Sequence, residues 1–226
     1  MVALDSFDRV APGIWSALPA GERTAHYDHI ARGYDLLVGN PLYNRVIWGC
    51  PKPTYREMAR TFLKAAPPGP LIDFGCGSLV FTASEYSGAE GRLVLFDRSM
   101  GMLRQGQKRL PAGCFLQGDA FAPPFGDASF TGGMGWGMLH VFGTQSDYLA
   151  SLHRLLKPGA AVAIGTLVLS SRAIGNRMLN LLHTKGEAAS PESRSDVEAA
   201  FGRLFEIDHS KLVGNMLFLQ GRKAKH

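Results

Sequence analysis

The segment Leu71-Ile72-Asp73-Phe74-Gly75-Cys76-Gly77-Ser78 constrains the fold of this chain more than any other. An apolar run ends in an acid and then in two glycines one residue apart. Apolar residues leading into glycines predict a buried strand that stops at a tight turn. Gly75 and Gly77 lack a Cβ, so the backbone there can adopt conformations closed to other residues and let a ligand come close. A helix after the turn would aim its N-terminal amides and the positive end of its dipole at that ligand. The pattern predicts a nucleotide-like cofactor at the first strand of an α/β sheet.

The rest of the chain fits that start. Beyond the breaker Pro67-Pro68-Gly69-Pro70, strands are predicted at 71–75, 92–96, 114–117, 129–134 and 160–169. Helices near 80–87, 99–110 and 145–156 separate them, and Lys157-Pro158-Gly159 ends the last. An added helix is expected over 171–185. Another, over 193–204, has Ser193 as N-cap and Asp196 in its first turn. A hairpin of 205–213 and 215–222, turning at Gly214-Asn215, closes the chain. Strands alternating with helices argue a mostly parallel sheet covered on both faces, here with seven strands, the last reversed. Residues 67–226 form the core in this reading. Residues 1–66 belong to the same domain: an irregular arm over 1–24 anchored by Ile14 and Trp15, then helical segments 25–37, 42–48 and 54–65 that make a cap.

Composition narrows the function classes. At 226 residues, 46% hydrophobic and 19% charged, the chain suits one sizeable globular domain. The net charge of +5 is scattered, save for Arg222-Lys223-Ala224-Lys225-His226, expected to be a frayed, solvated end. Nothing in it calls for nucleic acid. Cys50, Cys76 and Cys114 are widely spaced, with no CxxC pair and no Cys/His cluster. That argues against a zinc site or disulfide framework, leaves no metal to expect, and suits a reducing, cytoplasmic setting. Asp5 and Asp8 break any early apolar core, so no signal peptide is expected, and no apolar run is long enough to span a membrane.

Four blocks recur together in a known family: Asp73-Phe74-Gly75-Cys76-Gly77, Val94-Leu95-Phe96-Asp97 followed by Met100 and Met102, Gly118-Asp119-Ala120, and Leu152-His153-Arg154-Leu155-Leu156-Lys157-Pro158-Gly159. His26-Tyr27-Asp28-His29-Ile30-Ala31-Arg32-Gly33-Tyr34-Asp35 adds a helical lead-in. From about residue 25 onward the chain resembles class I S-adenosylmethionine-dependent methyltransferases. The nearest group is the small-molecule branch similar to ubiquinone/menaquinone-biosynthesis methyltransferases. The resemblance implies a Rossmann-like fold, S-adenosylmethionine as cofactor and a small-molecule acceptor. Asp97, with Arg98 beside it, would take the ribose hydroxyls, a bidentate role suited to an acid at a strand end. Asp119 would accept the adenine amino group and the Ala120 amide would reach a ring nitrogen, with Met102 and Phe121 over the adenine faces. Asp73 would orient the cofactor-binding loop of Gly75, Cys76 and Gly77, in which the cysteine is chosen for size, and would reach the methionine ammonium through water. Tyr34 would approach from the lead-in helix. Gly135 and Trp136 would meet the methionine end, where an indole can lie against the sulfonium.

Three positions depart from the family pattern. Leu79 stands where a third glycine is frequent, Thr131 where an acid is, and Gly132-Gly133-Met134-Gly135-Trp136-Gly137 is unusually glycine-rich, with a loop expected after Met134. Methyl transfer from a sulfonium is an in-line displacement in which the protein mainly binds and aligns. A base is needed only for a protonated acceptor, and His140, after the fourth strand, is the candidate. His26, His29 and His183 are weaker ones. Tyr27, Tyr43 and Trp48 of the cap and Met178 of the added helix would line a fairly apolar acceptor pocket. Two rivals are a catalytically silent scaffold that keeps the fold, which Leu79 and Thr131 favour, and an RNA methyltransferase, which lacks a basic stripe and a base-flipping motif. A nicotinamide dehydrogenase is a further fold-level alternative, but Val80 occupies the place of its final fingerprint glycine.

Overall fold

The computed structural model describes residues 4, 6–25, 27–144 and 147–225. Strands β1 (Asp8–Ala11) and β2 (Ile14–Ser16) form a hairpin. Helix α1 (Tyr27–Gly39) then leads through a wound segment, 41–48, into α2 (Lys52–Ala65). Next come β3 (Leu71–Phe74), the short α3 (Ala83–Tyr86), β4 (Leu93–Asp97), α4 (Met100–Arg109), β5 (Cys114–Gln117) and β6 (Phe130–Trp136). They are followed by the short α5 (Leu139–Phe142), α6 (Tyr148–Leu155), β7 (Leu156–Leu167), α7 (Ala173–Thr184) and α8 (Arg194–Gly202). The hairpin of β8 (Glu206–Val213) and β9 (Met216–Arg222) ends the chain.

All strands join one sheet in the order β1-β2-β5-β4-β3-β6-β7-β9-β8. The pairs from β2 to β7 are parallel, and β9 runs antiparallel to β7. The strand order steps one way from β3 to β5 and the other way from β6 onward. Such a switch point opens a crevice at the carboxyl ends of the central strands, where ligands of open α/β sheets bind.

Side-chain alternation builds a core on each face. Ile72, Phe74, Val94 and Phe96 pack on one side with Tyr148 and Leu152 of α6. Leu71, Leu93 and Leu95 pack on the other with Ala59 and Phe62 of α2 and Leu103 of α4.

The structure corrects the sequence reading in three places. Residues 8–16 are not an irregular arm: β2 pairs with β5, so the sheet has nine strands rather than seven. Ile14 and Ser16 are buried there, and Ser16 Oγ donates to Gln117 Oε1 at 3.0 Å. Strands of four and three residues carry too little alternation to be seen in sequence. The second correction is that β6 runs on through Gly135 and Trp136, where a loop is expected. A Cβ at Gly133 would lie 2.8 Å from Leu152 and one at Gly135 only 2.0 Å from the Tyr148 hydroxyl. These glycines seat α6 on the sheet rather than opening the backbone toward a ligand. Third, the basic tail is docked at Lys223, whose Nζ donates to the carbonyls of His153 at 2.8 Å and Leu156 at 2.9 Å. Among the described residues no helix is long and apolar enough to cross a membrane.

Candidate functional site

The turn after β3 is folded over the end of β4. Gly75 and Cys76 both donate their amides to the Phe96 carbonyl, at 2.8 and 2.9 Å. Gly75 has φ +88° and Gly77 φ +55°, so both need the left-handed region. A Cβ at Gly75 would sit 2.5 Å from Met138 Sδ, whereas one at Gly77 would meet nothing within 4 Å. Asp97, at the carboxyl end of β4, accepts the Gly77 amide at 2.7 Å through Oδ2 and the Ser99 amide at 2.8 Å through Oδ1. Each oxygen keeps a further lone pair, the requirement for gripping a vicinal diol. Burial outweighs these amides and raises the Asp97 pKa.

Three cavities lie along the ends of the strands. The central one, about 450 Å³, is walled by Gly75, Gly77, Asp97, Met102, Trp136 and Val141, among others. A second, about 260 Å³, shares Gly75, Asp97, Arg98, Met138 and Phe142 with it and adds Gly118, Asp119, Ala120 and Phe121. Asp119 Oδ1 accepts the Phe121 amide at 2.8 Å, which fixes the turn. Phe121 is 47% exposed and packs edge-on against Phe142 at 4.9 Å. Arg98 Nη1 is buried there without a hydrogen-bond partner in the protein. The third cavity, about 350 Å³, shares Val141 with the central one and is lined by Tyr43, Trp48, His140, Leu167, Leu182 and Lys185, among others.

Beneath the central cavity runs a buried chain of polar groups. Trp136 Nε1 donates to the Tyr86 hydroxyl at 2.9 Å, and Tyr86 donates to Asp73 Oδ2 at 2.7 Å. Asp73 is wholly buried on β3, its Oδ1 has no partner, and desolvation raises its pKa to about 7. It is in none of the three walls, and reaches the central cavity only through Tyr86 and Trp136. Burial pushes the Cys76 thiol well up from its ordinary value, which leaves it no reactive thiolate.

Helix α1 is latched to this platform by two acids seven residues apart. Asp28 Oδ1 accepts from Ser99 Oγ and the Gly101 amide, each at 2.7 Å, at the start of α4. Asp35 accepts from Ser78 Oγ in the glycine turn and ion-pairs with Arg109 at 2.8 Å. The side chains of Tyr27, His29 and Tyr34, and all of His26, lie outside the described residues.

The structure therefore brings Gly75, Gly77, Asp97, Arg98, Met102, Asp119, Ala120, Phe121 and Trp136 to one trough, with Tyr43, Trp48 and His140 beside it. Gly135 lies under Tyr148 instead, and Met178 gives way to Leu182 of the same helix and Lys185 just past its end. Met138, Val141 and Phe142 were missed, because nothing in a short apolar stretch after β6 marks it as a wall. His183 is placed away from the trough, with Nδ1 3.2 Å from the Ala188 carbonyl. Thr131 sits at the opposite end of β6, where its hydroxyl donates to the Pro70 carbonyl at 3.0 Å. Among the described residues no group of His, Cys, Asp and Glu could hold a metal ion.

Residues 71–159 match the family described as methyltransferase domain. A 2-phytyl-1,4-naphtoquinone methyltransferase from Synechocystis sp. is 36% identical over 49% of this chain and 50% of its own length. A demethylmenaquinone methyltransferase from Renibacterium salmoninarum is 31% identical over 63% of this chain and 57% of its own. The chain thus spans little more than half the length of these curated relatives. A crystal structure of an S-adenosylmethionine-dependent methyltransferase from Thermotoga maritima superposes with a TM-score of 0.63, covering 88% of this chain and 98% of that one at 15% identity.

Proposed function

We propose that this chain, whose core is a class I methyltransferase domain, binds S-adenosylmethionine along the trough and methylates a small, apolar or aromatic molecule held in the third cavity. The observation that carries the reading is the line of three cavities joined by shared walls. Asp119, Ala120 and Phe121 stand at one end, Asp97 in the middle, and Val141 divides the central cavity from the acceptor cavity. The open face of Gly77 and the spare lone pairs of Asp97 fit a ribose. Asp119 and the Ala120 amide fit the adenine edge, and Trp136 fits the sulfonium end. The bound cofactor supplies the activated methyl group. The chain's residues bind and align it, and the apolar walls of the third cavity exclude water from the acceptor. The helical segments between residues 27 and 65 serve as a cap of the same domain as the core, whose sheet the hairpin of β1 and β2 extends. The free thiols of Cys50, Cys76 and Cys114 support a cytoplasmic setting.

Calorimetric titration with S-adenosylmethionine and S-adenosylhomocysteine tests this, with folding followed by circular dichroism. The wild type should bind at micromolar level. Asp97→Ala loses two charge-assisted hydrogen bonds to the ribose, so affinity should fall by roughly a hundredfold. Folded, cofactor-free protein that binds neither compound would favour the scaffold reading.

A further inference from the structure

His140 fills a place in the sheet that the backbone leaves empty. Strand β6 stops at Trp136, with Gly137 still donating to the Gly165 carbonyl at 2.7 Å, while β7 continues to Leu167. The His140 amide donates to Thr166 Oγ1 at 2.9 Å, and the Leu167 amide donates to His140 Nδ1 at 3.4 Å. The His140 carbonyl accepts from Ala189 at 3.0 Å, so the residue is held from three sides. A backbone N–H can only donate. Nδ1 must therefore carry its lone pair toward Leu167, and in the neutral ring the proton belongs to Nε2. Thr166 Oγ1, 3.4 Å from Nδ1, can add its own hydrogen to the same lone pair. Among the described residues Nε2 has no protein partner, and the ring forms part of the wall of the third cavity.

We propose that His140 presents a fixed Nε2–H donor to the acceptor cavity, and that the molecule bound there carries a carbonyl or ionised hydroxyl oxygen at the matching point. This rests on the third cavity being the acceptor site. It replaces the general-base role expected of His140: with Nδ1 engaged and Nε2 protonated, the ring has no lone pair to offer the acceptor. Desolvation, which lowers its pKa to about 4, keeps the ring neutral in the same direction. The other titratable groups walling the cavity are Tyr43, Lys185 and Glu187. Nearly everything else in the wall is apolar, so one donor at a fixed point selects among ligands of similar shape.

The tautomer is read directly from two-bond proton–nitrogen correlation spectra of protein labelled with 15N-histidine, with His140→Asn assigning the peak. The expected pattern is the Nε2–H tautomer, unchanged between about pH 5.5 and 8. An Nδ1–H pattern, or titration near neutrality, overturns the proposal. Ligand selection is read by calorimetry on protein saturated with S-adenosylhomocysteine, using 1-tetralone and its oxygen-free counterpart tetralin. The wild type should prefer the ketone roughly tenfold. In His140→Asn the side-chain oxygen can still accept from Leu167, so the fold is kept, while the preference should vanish with tetralin binding unchanged. Equal binding of the two by wild type, binding of neither, or a preference that survives the substitution overturns it. Failure of the methyltransferase reading would show separately, as no heat from S-adenosylhomocysteine before any probe is added.

Discussion

Leu79 holds φ +58° with a side chain only 3% exposed, at the position where the family pattern favours glycine. A residue with a Cβ pays about 1–2 kcal/mol for that conformation, and burial of the leucine among its neighbours offsets it. Leu79→Ala should lose about 2–5 kcal/mol by removing packing while keeping the strain. Leu79→Gly removes one more carbon yet should be the more stable of the two variants by about 1 kcal/mol. Urea unfolding of the pair checks the order. Asp73 makes a second prediction. Its folded pKa, about 7, lies above the ordinary value of 3.8. A carboxyl that holds its proton better when folded contributes full stability below about pH 4, and loses it as pH rises through 7. Wild type should therefore weaken between pH 5 and pH 8 relative to Asp73→Asn, which keeps an acceptor for Tyr86 but cannot ionise. Parallel pH curves for the two proteins would refute the assignment.

At the scale of elements, α1 is latched to the sheet's loops by two of its acids. Leu36 is 80% exposed and Leu37 50%. Asp28 fixes one end of the helix to the start of α4, and Asp35 fixes the middle to the glycine turn and Arg109. Both anchor points belong to loops that wall the central cavity, so α1 and that cavity are mechanically one. Asp35→Asn keeps an acceptor for Ser78 but drops the ion pair. Amide exchange across 27–39 should then speed up roughly five- to tenfold while β3, β4 and β6 stay protected. Equal acceleration in the strands would mean that the latch supports the whole fold instead. The glycines of β6 show why a local reading can mistake an element. A run of glycine suggests a loop, because the residue weakens strand propensity. Here the missing Cβ atoms of Gly133 and Gly135 are required by a helix packed from outside the segment, by its Leu152 and Tyr148. That helix is α6, whose Tyr148 hydroxyl reaches the Phe74 carbonyl at 2.5 Å.

For the whole molecule, the N-terminal hairpin covers what would otherwise be an open edge at β5. It also leads into Thr24 and Ala25, which wall the central cavity. Gln117 ties the two together: its Oε1 accepts from Ser16, and its Nε2 donates to the carbonyls of Arg23 at 2.7 Å and Arg98 at 3.0 Å. Removing residues 1–18 should lower the urea midpoint and also weaken S-adenosylhomocysteine binding measured by calorimetry. A shortened chain that is less stable but binds as tightly would separate the hairpin from the site. What the sequence by itself determined is what depends on neighbours along the chain. The apolar run into paired glycines set β3 and its turn, alternation set the parallel core, and an acid ending a buried strand marked Asp97. Each follows from backbone conformation and burial period, which are local properties. Only the tertiary structure decided that β2 joins β5, that Asp73 reaches Trp136 through Tyr86, and that Val141 joins the third cavity to the trough. It alone showed that His140 takes its place beside Leu167 at the end of the sheet. Those contacts join residues tens of positions apart, and packing, which no local pattern encodes, selects them.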